Sequence, residues 1–582
     1  MLSPVPHCIP PSFPAQPPDF RVTPSSLKSS FPWKRLLAVV ITVAALGIIF
    51  WKIDVAELAA VFRRMEIGWF LAAEGIFGLM LLAGSWRWHL MLRLTNAAVH
   101  PGATARLYAI GHALSFFLLT PAVGDLAKAG LYSRWFRQPL PNVVASAPLA
   151  RFLGLGGMCI FILVAFALAA AKGALGTATA FGARLPLPLL LVGIAGGLIG
   201  LVLIFRWRPR SEHILARTFN SFAVAARQLL LTPRLAAYGL LLGFVVQAIS
   251  CTLMALCLRA VVSVDCPWFE LLWTFPVIAA MVAVPSFGGL GVREAAALGI
   301  LALYHIPAAD AVAGSLLTLA TNVTWVVIGA ALLAREERLF DKARAQEKLW
   351  ALPKTISVII PALNEEAEIP ATLRHLQAIP EIAEIIIVDA GSTDRTRDLA
   401  TAARCRVLTT EPGRGHQLRH GAARATGDVV LMVHADTWLA PDAGRAILAS
   451  LHDATVVGGG CWKIFRDPPL LVRGSRLKCA LRLYLGHRVM ADQAIFVRRT
   501  VLTATGGVPD VPLMEEFELC RQLRPAGRLA LADTVVSTSA RRFTQLGVLR
   551  TYARMARVTL LYYLGRSPAD LRRLYERPPR TR

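Results

Sequence analysis

Charge is scarce in this chain. Of 582 residues only 17% are Asp, Glu, Lys or Arg, against about 25% in ordinary soluble domains. Acidic residues are the scarcer kind: 37 Asp and Glu face 62 Lys and Arg, a net charge of +25. With 55% hydrophobic residues and a mean hydropathy of +0.53, so long a chain is not a single soluble domain. Cysteine is thin as well. The nine cysteines are scattered, and no pair has zinc-ligand or redox spacing, so they read as small apolar side chains in a reducing compartment. A basic excess suits either nucleic acid or an anionic membrane face. Here the basic residues flank apolar segments, which selects the membrane and no nucleic acid.

Residues 1–32 are Pro- and Ser-rich, with Pro10-Pro11 and Pro17-Pro18, and hold too little apolar surface to fold alone. Lys34-Arg35 then precedes the apolar Leu36–Trp51. A long leader and the lack of a small-residue cleavage site make this a first membrane helix, not a signal peptide. Further apolar stretches lie near 67–84, 106–123, 148–171, 187–205, 236–258, 268–286, 292–305 and 311–334. Arginines mark the 206–235 loop and the 335–348 region as cytoplasmic. Both fit if 106–123 is re-entrant and 268–305 is a re-entrant pair. That predicts a polytopic domain over 33–335, of six to eight spans with re-entrant segments and both ends inside, followed by a basic linker over 336–355.

The two suspect segments share chemistry. One contains Pro121, Gly124, Asp125 and Lys128; the other contains Pro285, Gly288, Gly289, Arg293 and Glu294. Broken helices in corresponding halves point to a midplane site, because irregular backbone at depth survives only around a cavity. The plainer reading is that Pro121 and Pro285 end helices at the interface, with Lys128 and Arg293 snorkelling. Pro-x-x-Gly-Asp and Pro-Ser-Phe-Gly-Gly-Leu-Gly-Val-Arg-Glu resemble the transmembrane domain of the lysylphosphatidylglycerol synthase/flippase family. That resemblance implies lipid handling, with Asp125, Lys128, Arg293 and Glu294 as the membrane-domain site.

From Ile356 the pattern alternates. Strands near 356–362, 384–389, 405–410 and 428–434 are each followed by a helical stretch, which predicts an α/β domain with a mostly parallel sheet over 356–545. Polar clusters stand at the strand ends: Pro361-Ala362-Leu363-Asn364-Glu365-Glu366, Asp389-Ala390-Gly391-Ser392-Thr393-Asp394 and His434-Ala435-Asp436. These suit a nucleotide-sugar site. A diphosphate leaving group calls for a hard cation, Mg²⁺ or Mn²⁺, on oxygen ligands, and Asp436 can supply one. Asp389 and Asn364 can meet base or ribose. A nucleophilic hydroxyl needs a carboxylate to take its proton. Glu515-Glu516, before the helical run 517–523, offers it, with a helix N-terminus favouring the ionised form.

At these residues the domain resembles the family 2 glycosyltransferases of GT-A (Rossmann-like) fold. Within them it is similar to a radical-SAM/selenodomain-associated, arsenosugar-biosynthesis-type subgroup, on Gly413-Arg414-Gly415-His416-Gln417, His434-Ala435-Asp436-Thr437, Asp492-Gln493-Ala494-Ile495-Phe496, Met514-Glu515-Glu516-Phe517 and Thr538–Phe543. The resemblance implies Asp389 as base contact, Asp436 as metal carboxylate and Glu516 as catalytic base, with Glu515 the other candidate. It places Pro361, Asn364, Glu365, Ser392, Asp394 and Arg414 on the nucleotide-sugar. It places Asp492, Gln493, Arg541 and Arg542 near diphosphate or acceptor. His434 stands where the first Asp of Asp-x-Asp is usual, which weakens the metal site or adds a nitrogen ligand.

Residues 546–582 read as a basic amphipathic helix and tail, lying on the membrane or packed on the catalytic domain. The expected function is an inverting glycosyltransferase of a bacterial inner membrane, multi-pass, with its catalytic domain cytoplasmic. It would move sugar from a nucleotide-sugar to a lipid or lipid-linked acceptor. Alternatives are a flippase whose domain only senses nucleotide-sugar, and a transferase acting on a carotenoid or a small arsenic or selenium metabolite. A nucleotidyltransferase would put a Gly-rich basic loop where this chain has Pro-Ala-Leu-Asn-Glu-Glu.

Overall fold

The structure, a computed structural model, describes residues 55–117, 121–171, 214–280, 291–344, 352–466, 475–541, 543 and 547–576. The expected crossings 36–51 and 187–205 lie outside the described residues, as does Arg542.

The membrane half is helical: α1 (Val55–Arg63), α2 (Ile67–Leu94), α3 (Pro101–Phe117), α4 (Pro121–Phe136), α5 (Leu140–Ala171), α6 (Ile214–Leu231), α7 (Pro233–Arg259), α8 (Trp268–Ala280), α9 (Val292–Ala302) and α10 (Ala308–Arg344). Among the described residues, α2, α5, α7 and α10 are long and apolar enough to cross a membrane. They coincide with four of the six expected crossings. Small residues let them approach closely: Gly239 and Gly243 on α7 face Leu153 and Gly157 on α5, where a Cβ at Gly243 would sit 3.2 Å from the Gly157 Cα. α10 runs on as helix through 336–344, the first part of the expected linker.

The shorter helices form two hairpins, and polar contacts show which end of the bundle each starts from. At the end that meets the catalytic domain, α3 begins with Arg106 held on Asp453, 2.6 Å away, and the α4 exit places Gln138 3.0 Å from His452. The α3–α4 hairpin therefore enters and leaves on that side. Its limbs touch at Gly124, where any Cβ would overlap Ser115. At the opposite end, Arg259 at the close of α7 lies 6.0 Å from the Trp268 ring that opens α8. α9 turns into α10 there, beside Asp310, which binds Arg64 and accepts from Ser263 Oγ at 2.7 Å. The α8–α9 hairpin thus enters from the other side. Each hairpin lies between one crossing on either side, α2 and α5 for the first, α7 and α10 for the second, with opposite direction. Among the described residues, the two hairpins thus start from opposite ends of the bundle.

The catalytic half carries one sheet of eight strands, β1 (Ile356–Ala362), β2 (Ile382–Asp389), β3 (Arg406–Thr409), β4 (Val429–Met432), β5 (Thr437–Leu439), β6 (Val456–Arg466), β7 (Ile495–Arg498) and β8 (Arg528–Ser539). The order is β3-β2-β1-β4-β7-β6-β8-β5. β3, β2, β1 and β4 run parallel; β1, β2 and β4 carry the near-continuous apolar runs of strands covered on both faces, while β3 is the partly exposed edge. β7 is antiparallel to both β4 and β6. Helices α11 (Ile369–Gln377), α12 (Thr396–Ala402), α13 (Arg414–Ala422), α14 (Ala443–Ser450), α15 (Ser475–Tyr484), α16 (Arg499–Ala504) and α17 (Glu515–Leu523) connect the strands. α18 (Val548–Tyr563) and α19 (Pro568–Glu576) close the described chain.

Buried ions join the halves. Asp453, fully buried, receives Arg106 and lies 3.2 Å from His100 Nε2. Glu336, also fully buried, takes Arg528 at 2.6 and 2.7 Å and Arg106 at 3.2 Å. Asp533 meets His89 and Arg93, each at 3.1 Å. Burial alone would raise the Asp453 carboxyl, but Arg106 and His100 hold it well below the usual carboxylate range.

Candidate active site

The crevice lies beyond the carboxyl ends of β1, β2 and β4, where a doubly wound sheet holds ligands. Its floor is a zipped pair of loops. Asn364 adopts φ 53° and Gly391 φ 89°, turns that Asn and Gly tolerate best. Asn364 Oδ1 accepts the Thr393 N–H at 2.9 Å, and the Asn364 N–H donates to Ser392 Oγ at 2.9 Å. Asp394 accepts from the Glu366 N–H at 3.1 Å and the Thr396 N–H at 3.0 Å. Asp389 is fully buried. Its carboxylate accepts from the backbone of Gly391 and Ser392 and from Ser392 Oγ, with Arg397 3.7 Å away. Asp389, Asn364, Ser392 and Asp394 therefore build the floor, whatever else they touch.

On one wall, α13 starts at Arg414. Gly415 lets that start pass close to the next loop, since a Cβ there would be 2.6 Å from the Val511 carbonyl. Arg414 Nη2 donates to His434 Nε2 at 2.6 Å. Its Nε lies 3.0 Å from Glu515 Oε1, an ion pair not aligned as a hydrogen bond. Glu515 is buried and Glu516 partly buried, at the first turn of α17. Burial, then the neighbouring Glu515 carboxylate, push the Glu516 carboxyl up to about 7, against the pull of Arg414. Pro361, Arg414, Met432, Ala491, Glu515 and Glu516 are among the residues lining a cleft. The two glutamates thus differ: Glu515 is ion-paired with Arg414, and Glu516 is the carboxyl raised toward neutral pH.

Asp492 faces the same cluster. Burial would raise its carboxyl, but Lys463 Nζ, 2.5 Å from it, holds it low. Lys463 was not legible as a site residue; its signal is a lysine at a buried position of β6, 5% exposed. Gln493 is turned the other way. Fully buried, it donates to the Cys461 carbonyl at 3.2 Å and accepts the Met490 N–H at 3.0 Å, so it shapes the turn under Asp492 instead of meeting acceptor.

Across the crevice, Asp436 has Thr437 Oγ1 at 3.5 Å as a weak partner. It lies within electrostatic reach of Glu365, whose carboxyl is raised by burial and by Asp436 against the pull of Arg541. Among the described residues no group of three or more His, Cys, Asp or Glu is placed to hold a metal. A single carboxylate with room for phosphate oxygens still fits Mg²⁺ or Mn²⁺, which rarely sit in all-protein cages. His434 does not fit that reading: its Nε2 accepts from Arg414, so it is a link in the α13–α17 wall.

The charged residues of the two hairpins do not join this site. Asp125 pairs with Lys128 at 2.8 Å and with Arg151 at 2.6 Å. Lys128 lies 4.2 Å from the centre of the Trp88 ring. Arg293 and Glu294 are buried and bind each other at 2.7 Å, Arg293 donates to Ser315, and Glu294 caps the α9 start through the Gly291 N–H. Snorkelling does not describe Arg293. Arg293→Ala strands the Glu294 carboxylate and is expected to cost on the order of 1–3 kcal/mol or more, read as a lower melting temperature in detergent.

An α/β sheet with acidic groups at its carboxyl edge and a poised glutamate, carried on a membrane bundle, is the architecture of a membrane-attached glycosyltransferase. The chain belongs to the family described as the lysylphosphatidylglycerol synthase TM region, whose model matches residues 35–364; residues 357–504 match glycosyl transferase family 2. Glucosyl-3-phosphoglycerate synthase of Mycobacterium tuberculosis is 36% identical over 94 residues, 14% of this chain and 29% of that protein. Undecaprenyl-phosphate 4-deoxy-4-formamido-L-arabinose transferase of Pectobacterium carotovorum is 36% identical over 101 residues, 15% of this chain and 31% of that protein. The chain thus spans under a third of these curated relatives. A crystal structure of the M. tuberculosis synthase with Mn²⁺, UDP and glucosyl-3-phosphoglycerate matches at 26% identity, covering 36% of this chain and 80% of that one, with a TM-score of 0.29. The arsenosugar-type subgroup goes beyond what these matches show.

Proposed function

We propose that this chain is a membrane-bound inverting glycosyltransferase that moves a sugar from a nucleotide-sugar to a lipid or lipid-linked acceptor, on the cytoplasmic side. The observation that carries the reading is Glu516, a cleft carboxyl titrating at about 7 beside the acidic Asp492 and the basic Arg414, in a family 2 domain joined to membrane helices. Glu516 takes the acceptor hydroxyl proton as that oxygen bonds the anomeric carbon, and the nucleoside diphosphate leaves from the opposite face with its electron pair. Arg414 pairs with Glu515 and so orients the acidic first turn of α17. Asp436 would hold the divalent ion, which supplies charge neutralisation to the leaving diphosphate. A relative named for an undecaprenyl-phosphate acceptor and the adjoining membrane helices both support a lipid acceptor; the arsenic, selenium and carotenoid acceptors rest on motif likeness alone. A second reading, a lipid translocator with a nucleotide-sugar-sensing domain, draws support from the two opposed hairpins.

The test is full-length protein in nanodiscs, given a panel of nucleotide-sugars and membrane lipid extract. Transfer is expected, lost in EDTA and restored by Mg²⁺ or Mn²⁺. Asp436→Ala should lower it more than about tenfold at a fixed ion concentration. Undiminished transfer in chelator would remove Asp436 from the metal role.

A further inference from the structure

Helices α15 and α18 expose leucine where a solvated helix exposes charge. On α15, Ser475, Cys479 and Leu483 are buried against the domain. At about 100° per residue, Leu477, Leu481 and Leu485 fall on the opposite face, 66%, 48% and 77% exposed. α18 repeats the arrangement. Thr551 and Val558 are buried, and Leu549, Leu560 and Leu564 line the opposite face, 76%, 59% and 70% exposed. Single exposed leucines are ordinary on a surface. Two rows, each set opposite a buried face, are not. Arg476 and Arg482 border the first row, Arg550 and Arg557 the second. The helices are tied together, Lys478 Nζ donating to Tyr552 Oη at 2.8 Å. α15 also ends on the membrane half, where a Cβ at Gly102, in the first turn of α3, would sit 3.0 Å from the Tyr484 hydroxyl.

We propose that α15 and α18 form one interfacial platform, whose leucine rows lie in the headgroup layer of an anionic bilayer and whose arginines meet lipid phosphates. Apolar rows bordered by basic residues are what such a surface retains, and contact with α3 makes the platform continuous with the membrane bundle. The platform reaches the cleft through α17. Met514 and Phe517 pack on Val558 and Leu571, and Tyr562 donates to Glu518 at 2.5 Å. Glu516 is therefore held at the level of the headgroups, where a lipid-linked acceptor presents its reactive end without leaving the bilayer.

The experiment uses the full chain in nanodiscs of phosphatidylethanolamine and phosphatidylglycerol, with a phospholipid bearing a diazirine high on its acyl chain. After irradiation, adducts are mapped by mass spectrometry. Adducts are expected in 477–485 and 549–564, as on the lipid-exposed face of α2, and not on α12, a solvated helix of the same domain. The variant Leu481→Glu with Leu560→Glu should cut labelling of both stretches about tenfold with α2 labelling unchanged. Adducts confined to residues 55–344, or to one of the two rows, would overturn the proposal. So would protection of both rows together with crosslinks between two copies, which would make the face a self-association surface. If the variant fails to fold, the labelling pattern of the unmodified chain still decides.

Discussion

Glu516→Gln is expected to lower turnover about 10²- to 10⁴-fold while leaving nucleotide-sugar affinity nearly unchanged. The amide keeps the shape and loses the proton acceptor. Since Glu516 titrates at about 7, the rate of the unmodified enzyme should rise with pH through that value and level off above it; the Gln variant should show no such limb. Stability moves the other way. A carboxyl raised from its ordinary 4.5 binds more protons folded than unfolded, so its contribution falls as pH rises across that window. The Gln variant should therefore gain in melting temperature relative to the unmodified protein between about pH 5 and 8. Glu515→Gln separates the pair. It leaves Arg414 without its carboxylate and takes away one of the forces raising Glu516, so the rate limb should move to lower pH while the plateau survives. A lipid phosphate acceptor is already an anion and needs no base. A Glu516→Gln enzyme that keeps full turnover would thus overturn the base assignment and point to that acceptor. Calorimetry of donor binding and a pH–rate profile on the three proteins measure all of this.

Asp453→Ala should detach the two halves. The carboxylate is buried between Arg106 and His100, and removing one partner of a buried ion cluster costs about 3–5 kcal/mol, because the remaining charge stays buried. The depressed carboxyl of Asp453 contributes stability that is present above its unfolded value near 4 and is lost as pH falls toward its folded one. Acid should therefore undo the docking of the unmodified protein, and Asp453→Ala should do so at neutral pH. Limited proteolysis within 345–356, followed by size exclusion in detergent, reads the separation. A catalytic fragment of Asp453→Ala that still travels with the membrane half would show that Glu336–Arg528 and Asp533 suffice.

What the sequence made legible follows from range. β1, β2 and β4 were readable because unbroken Ile/Val runs ending in polar clusters need no distant partner to interpret. Glu515-Glu516 was readable as an acidic first turn. Which glutamate is held and which is poised was not, because that depends on Arg414, about a hundred residues earlier, arriving through a glycine-lined approach. Gln493 misled for the opposite reason: a polar residue beside Asp492 looks like a contact until Cys461 is seen to claim it. The ions at the domain boundary were invisible, since Arg106 and Asp453 stand 347 positions apart and nothing local marks either. The re-entrant reading of 106–123 came from a charge rule and from no local feature of those residues.

Under the lipid-translocating reading, the opposed hairpins would have a thermodynamic consequence. A scaffold that looks much the same from either leaflet offers a molecule crossing it nearly equal barriers in both directions. Such a scaffold speeds equilibration and leaves the resting distribution where the two leaflets alone would set it. Bias has to be imported. In this molecule the break in the mirror is the sheet docked on one end by Asp453, Glu336 and Asp533. On that reading, a reaction that consumed lipid only there would drain one leaflet and draw from the other, and the soluble half would set the direction of traffic.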